Sequence, residues 1–143
     1  MKKLLLIVLA IALVLSSHAT FASDDIAVMV EGTKVEFDVP PQIIDGRTLV
    51  PVRKIFEALG AKVNWVEEAD LVVASYGTSI LSMEIGKDTF VVTDVISGET
   101  RIIEIDVPPQ IVDGRTLVPA RAISESMGRK VDWVNETRTV VID

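Results

Sequence analysis

DVPPQIIDGRTLVPVRKIFEALGAKVNWVEEADLVVAS, residues 38–75, returns 68 residues later as DVPPQIVDGRTLVPARAISESMGRKVDWVNETRTVVID, residues 106–143. The two stretches align without a gap and agree at 24 of 38 positions. Identity at that level over so long a window is the signature of an internal repeat, and the chain is read as two tandem copies of one unit. Repeat one is placed at about 26–75, connecting strands at 76–99 and repeat two at about 100–143.

Each copy divides the same way. Pro40-Pro41 and Pro108-Pro109 cannot donate to a strand ladder, so they mark an edge or an extended link. Asp45-Gly46 and Asp113-Gly114 lie between β-type segments and signal tight turns, because both residue types tolerate positive φ. Pro51 and Pro119 sit where a helix is expected to open, since proline suits the first helical position. Val52, Ile55, Phe56 and Leu59 then recur at helical spacing, and Gly60 closes the segment. The second helix, expected from Pro119 to Met127 before Gly128, has a weaker inner face of Ala120, Ile123, Ser124 and Met127 and is expected to pack less tightly. Two short strands follow each helix. Alternation in Lys62–Val66 points Val63, Trp65 and also Val66 inward, and Val131 and Trp133 are their counterparts.

Working outward, Ser79 to Ile85, Thr89 to Val95 and Thr100 to Ile105 alternate as strands separated by Gly86 and Gly98 turns. Ile26 to Val30 and Lys34 to Phe37 form a shorter hairpin around Gly32. The expected fold is α+β: mostly antiparallel strands, one short helix per repeat, and one core shared by both repeats. A single unit of roughly 40 to 60 residues buries too little apolar surface to stand alone.

The first residues change which of the others count. Lys2 and Lys3 precede an unbroken apolar run from Leu4 to Leu15, and small residues follow. That is the layout of a secretory signal peptide spanning 1–22, with cleavage after Ala22. The run rises only about 18 Å as a helix, against about 30 Å of bilayer hydrocarbon, so no membrane span is expected after processing. Processing leaves 12 basic against 21 acidic residues, a net charge of −9, and removes His18, the one histidine. An acidic chain is a poor ligand for nucleic acid. The chain also lacks cysteine, so its core is expected to hold the fold unaided.

The string VPPQI-x-DGRTLVP-x-R-x-I-x-E-x-x-G-x-x-V-x-W, present twice, resembles the copper amine oxidase N-terminal domain-like family, also called stalk domains. The resemblance covers Ile26 to Asp143. It implies a non-catalytic α+β module carried by secreted or surface proteins of Gram-positive and related bacteria, in paired repeats. The enzyme class behind the family name uses three histidines for copper and a tyrosine-derived quinone. Residues 23–143 contain no histidine, and Tyr76, the sole tyrosine, lies in Ala-Ser-Tyr-Gly without the expected neighbours. Of the softer ligands only Met29, Met83 and Met127 remain. No cofactor, metal or catalytic residue is therefore assigned.

Lack of histidine and cysteine removes most base, nucleophile and zinc schemes. Asp38, Asp45, Asp106 and Asp113 leave a carboxylate-dependent hydrolase as one alternative, and an inhibitor or accessory subunit of an exported enzyme as another. Asp45 and Asp113 are already explained by their turns. Arg47, Arg53, Arg115 and Arg121 form the more informative set. Arg53 and Arg121 each precede a glutamate by four residues, a spacing that braces a helix. The competing expectation is a ligand site for carboxylate or phosphate, which the planar guanidinium suits. Trp65 and Trp133 suit sugar stacking by type, but their alternation assigns them to the core. The expected function is a secreted structural or interaction module that contacts a cell-wall polymer or another surface protein. Exposed strand edges would also permit self-association.

Overall fold

The Asp-Gly pairs make the turns their composition demands. In the computed structural model, which describes residues 25–143, φ is 49° at Asp45 and 77° at Gly46, and 49° and 75° at Asp113 and Gly114. Two successive positive φ values give a two-residue turn whose twist matches that of paired strands. The expected leader, residues 1–22, lies outside the described residues.

In chain order the strands are β1 (Ala27–Val30), β2 (Thr33–Lys34), β3 (Gln42–Ile44), β4 (Arg47–Pro51), β5 (Lys62–Val66), β6 (Leu71–Tyr76) and β7 (Ser79–Glu84). They continue as β8 (Thr89–Asp94), β9 (Thr100–Glu104), β10 (Gln110–Val112), β11 (Arg115–Pro119), β12 (Val131–Val134) and β13 (Thr139–Ile142). Helix α1 is Val52–Ala58 and α2 is Ala120–Ser126. The class is α+β, mostly antiparallel strands with two helices.

Three sheets result, ordered β10-β11-β4-β3, β5-β6-β7-β8-β9 and β12-β13-β1-β2. In the first, β4 and β11 run antiparallel with Val50 opposite Val118, Leu49 opposite Pro119 and Pro51 opposite Leu117. The central pair is thus made of residues 68 apart. The second is a plain antiparallel sheet. In the third, β1 lies parallel to β13, so strands from opposite ends of the described chain are neighbours.

The prolines correct one expectation. Pro51 and Pro119 do not open the helices; each ends its strand and serves as the N-cap residue, with the helix starting one position later. A residue with no N–H to give is tolerated at that junction, where ladder donation stops and helical donation has not begun. Gly60 and Gly128 do end the helices, with φ of 83° and 78°. The N-terminal hairpin is shorter than expected, because β2 covers only Thr33–Lys34.

The main core joins all three sheets and both helices: Val28, Val50, Phe56, Leu81, Phe90, Val118, Ile123 and Ile142 belong to one buried cluster. A smaller cluster of Leu49, Val107 and Leu117 sits on the other face of the first sheet, flanked by Val39, Ile44 and Val112. Helix α1 buries Val52, Ile55 and Phe56, whereas α2 buries Ala120, Ile123 and Ser124. The Ser124 hydroxyl is enclosed and has no hydrogen-bond partner.

The tryptophans part company. Trp65 is directly opposite Val72 and so lies on the inward face, yet it is 38% exposed. Its strand, β5, is an edge of the five-stranded sheet, so the ring is covered only in part. Val66, expected inward, is also exposed. Trp133 is partly buried and packs against the main core.

Candidate functional site

Each arginine singled out by sequence is held by an acceptor inside the chain. Arg47 grips Asp106 through two bonds, Nε to Oδ1 at 3.1 Å and Nη2 to Oδ2 at 2.5 Å. Arg115 donates to Asp38 Oδ2 through Nε at 3.0 Å and again through Nη2. The two pairs are reciprocal: 47 and 115 differ by 68, as do 38 and 106. Together they tie the Pro-Pro segment of each stretch to the turn of the other. Arg53 Nη1 donates to the Val63 carbonyl at 3.1 Å and stands 4.0 Å from Glu57. Arg121 Nη1 donates to the Val131 carbonyl at 2.9 Å and stands 3.4 Å from Glu125. These two clamp each helix to the strand after it.

The reciprocal pairs set the ionisation of their carboxyls. The hydrogen bond from Arg115 holds Asp38 below the usual carboxylate range, and the bond from Arg47 does the same for Asp106. Both pairs are more than half exposed, so solvent screens them and their net contribution to stability is small.

A third carboxyl escaped the sequence reading. Asp94 Oδ1 accepts from the backbone N–H of Ser97 at 2.8 Å and of Ile96 at 2.9 Å, and Oδ2 accepts from the Thr78 hydroxyl at 2.6 Å. The Ser97 N–H and the Thr78 hydroxyl are the main causes that lower its pKa to about 2. An aspartate two and three residues before the N–H groups it accepts is a local turn device, and Asp94-Val95-Ile96-Ser97 carried that signal.

These shifts predict an acid limb. A carboxyl whose pKa is lower in the folded state stabilises the fold above its unfolded value, here 3.8, and loses that effect as pH falls through the folded value, about 2 for Asp94. Melting temperature is expected to fall between these two pH values. Asp94→Asn should begin lower at neutral pH and show a shallower drop, because asparagine does not titrate. Thermal melts of both proteins across that range check it.

Arg47 and Arg121 meet at one groove of about 1070 Å³, whose lining does not include Arg53 or Arg115. The β3–β4 hairpin contributes Ile43 and Thr48, the turn before β8 contributes Asp88, the end of β9 contributes Glu104, and α2 contributes Glu125. Asp132, Trp133 and Asn135 line it from β12 and the turn after it. The Trp133 ring nitrogen donates to Asn135 Oδ1 at 3.4 Å.

The donor set does not fit copper. Residues 25–143 have neither imidazole nor thiol, and among the described residues no group of three or more histidine, cysteine, aspartate or glutamate side chains is arranged to hold a metal. Met83 and Met127 are taken up by the core. Among the described residues no helix is long and apolar enough to cross a membrane.

A search of curated proteins finds no match. The family model described as Copper amine oxidase N-terminal domain matches residues 29–142. That domain is a non-catalytic part of the enzyme named, so the match does not itself indicate catalysis. It spans every described sheet and both helices, and the chain belongs to the copper amine oxidase N-terminal domain family.

Proposed function

We propose that this chain is an exported, non-catalytic structural and interaction module, built from two copies of one unit and retained at the cell wall or on a surface partner. One observation carries the reading: the charged residues that recur at an interval of 68 serve as braces. Arg47–Asp106 and Arg115–Asp38 pin the two stretches together, and Arg53 and Arg121 pin each helix to its strand. Recurring charged residues whose partners all lie within the chain suit a scaffold better than a catalytic site. Lys2 and Lys3, the apolar run Leu4–Leu15 and the small residues up to Ala22 support export.

Arg47, Arg53, Arg115 and Arg121 remain the residues proposed to meet carboxylate or phosphate groups of a wall polymer, by exchanging an internal acceptor for an external one. Self-association is a second contact of the same kind. Edge strand β9 carries Ile102, which is 69% exposed, and an unpaired strand edge accepts another strand.

Two measurements test this. Expressed in a Gram-positive host, the protein should appear in the wall or medium fraction with Ser23 as its first residue. Purified protein should be retained on isolated wall, and the double variant Arg47→Gln, Arg115→Gln should lose that retention. Unprocessed chain left inside the cell would end the export reading, and undiminished retention of the double variant would end the role of the arginines.

A further inference from the structure

We infer that the groove beside α2 is a binding site for a neutral oligosaccharide, with Trp133 as its stacking platform. The inference rests on the interaction reading above and names the chemistry of one contact within it. A groove of about 1070 Å³ has room for more than one sugar ring. Sugar rings present an apolar C–H face and a rim of hydroxyls. The matching protein surface is an aromatic ring flanked by planar polar groups in fixed positions.

The groove supplies both parts. Trp133 is wedged against the core on one side and lines the groove on the other, and its nitrogen is engaged by Asn135. Packing against the core restricts the ring before a ligand arrives, which lowers the ordering cost of binding; the long Asn135 contact adds little to that. Arg47 and Arg121 are neutralised by Asp106 and Glu125, so they offer oriented donors and acceptors without net positive charge. Asp88 and Glu104 also line the groove and, among the described residues, form no ion pair, which leaves their oxygens open to hydroxyl donors. Five carboxylates (Asp88, Glu104, Asp106, Glu125, Asp132) face three arginines (Arg47, Arg121, Arg138). While the internal pairs stay closed, that balance favours an uncharged ligand here; only exchange of Asp106 or Glu125 would open Arg47 or Arg121 to an anion. Trp65 occupies the matching position 68 residues earlier, yet it does not line this groove.

The chain has two tryptophans, so Trp65→Phe makes Trp133 the sole reporter. In that background the purified protein is titrated with chitotetraose, cellotetraose and trilysine, following indole emission and calorimetric heat. The expected result is saturable binding of at least one tetrasaccharide, nearly independent of salt, as suits an uncharged ligand. Trp133→Ala should weaken it by at least about tenfold. Should Trp133→Ala fail to fold, as judged by its melt, the exposed substitutions Asp88→Ala and Glu104→Ala carry the test, each expected to weaken binding several-fold. Binding of trilysine alone, binding unchanged in all three variants, or no saturation with either sugar would overturn the site. Wall retention that survives such a result would leave the interaction reading standing, whereas sugar binding without wall retention would support the groove and sink the wall assignment.

Discussion

Phe56→Ala is expected to destabilise the protein by about 3–5 kcal/mol, the cost of emptying a fully buried aromatic site. Phe56 has no exposed surface and sits in the cluster that joins all three sheets. Deleting it loses the transfer free energy of the ring and leaves a cavity that rigid strands close only partly. A domain of this size has a total stability of about 5–15 kcal/mol, so the variant should unfold at much lower urea, with the slope of the transition preserved. Ser124 supplies the contrast. It stands 68 residues later and is equally buried, but its hydroxyl has no partner. Removing an unsatisfied buried hydroxyl relieves a desolvation cost, so Ser124→Ala should be neutral or slightly stabilising. Urea denaturation of the pair decides both. A loss for Phe56→Ala of under about 1 kcal/mol would mean that the core closes around the gap. A clear loss for Ser124→Ala would mean that the hydroxyl is bonded after all.

Val118→Asp is expected to abolish folding outright. Val118 lies opposite Val50 at the middle of the β4–β11 pairing, and neither has exposed surface. An ionised carboxylate there would lose its hydration with no cation to meet it, a cost of several kcal/mol even after relaxation. Because this pairing joins residues 38–75 to residues 106–143, its loss should remove protection from both stretches together. Amide exchange of a milder variant, Val118→Ala, reads this directly. Protection should fall in β5–β6 and in β12–β13 by similar factors, as one cooperative unit requires. A fall confined to one stretch would show two cores that melt separately.

Much of the local structure was legible without coordinates. The Asp-Gly turns, the buried face of α1 and its glycine stop, and the strands β7 to β9 follow from residue type and spacing. Each is decided by the φ preference or periodicity of a few neighbouring residues. The arginines were legible as a recurring set, and the i, i+4 pairs with Glu57 and Glu125 were visible as well. Their other partners were not, since Asp106 lies 59 residues from Arg47 and Asp38 lies 77 from Arg115. The error at Trp65 has the same origin. Alternation assigns a face, but only the neighbouring strands decide whether that face is covered.

The amino-acid sequence alone determined the kind of many elements, the interval of 68 at which 24 of 38 residues recur and the absence of imidazole and thiol from residues 23–143. The tertiary structure alone decided that β1 lies beside β13, that Val50 meets Val118, that Ser124 is sealed without a partner and that Trp133 borders a groove. Turns and helix ends are governed by torsional preferences within a few residues. Strand partners far apart in the chain are chosen by which apolar faces can be buried together, a property of the whole assembly that no short window contains.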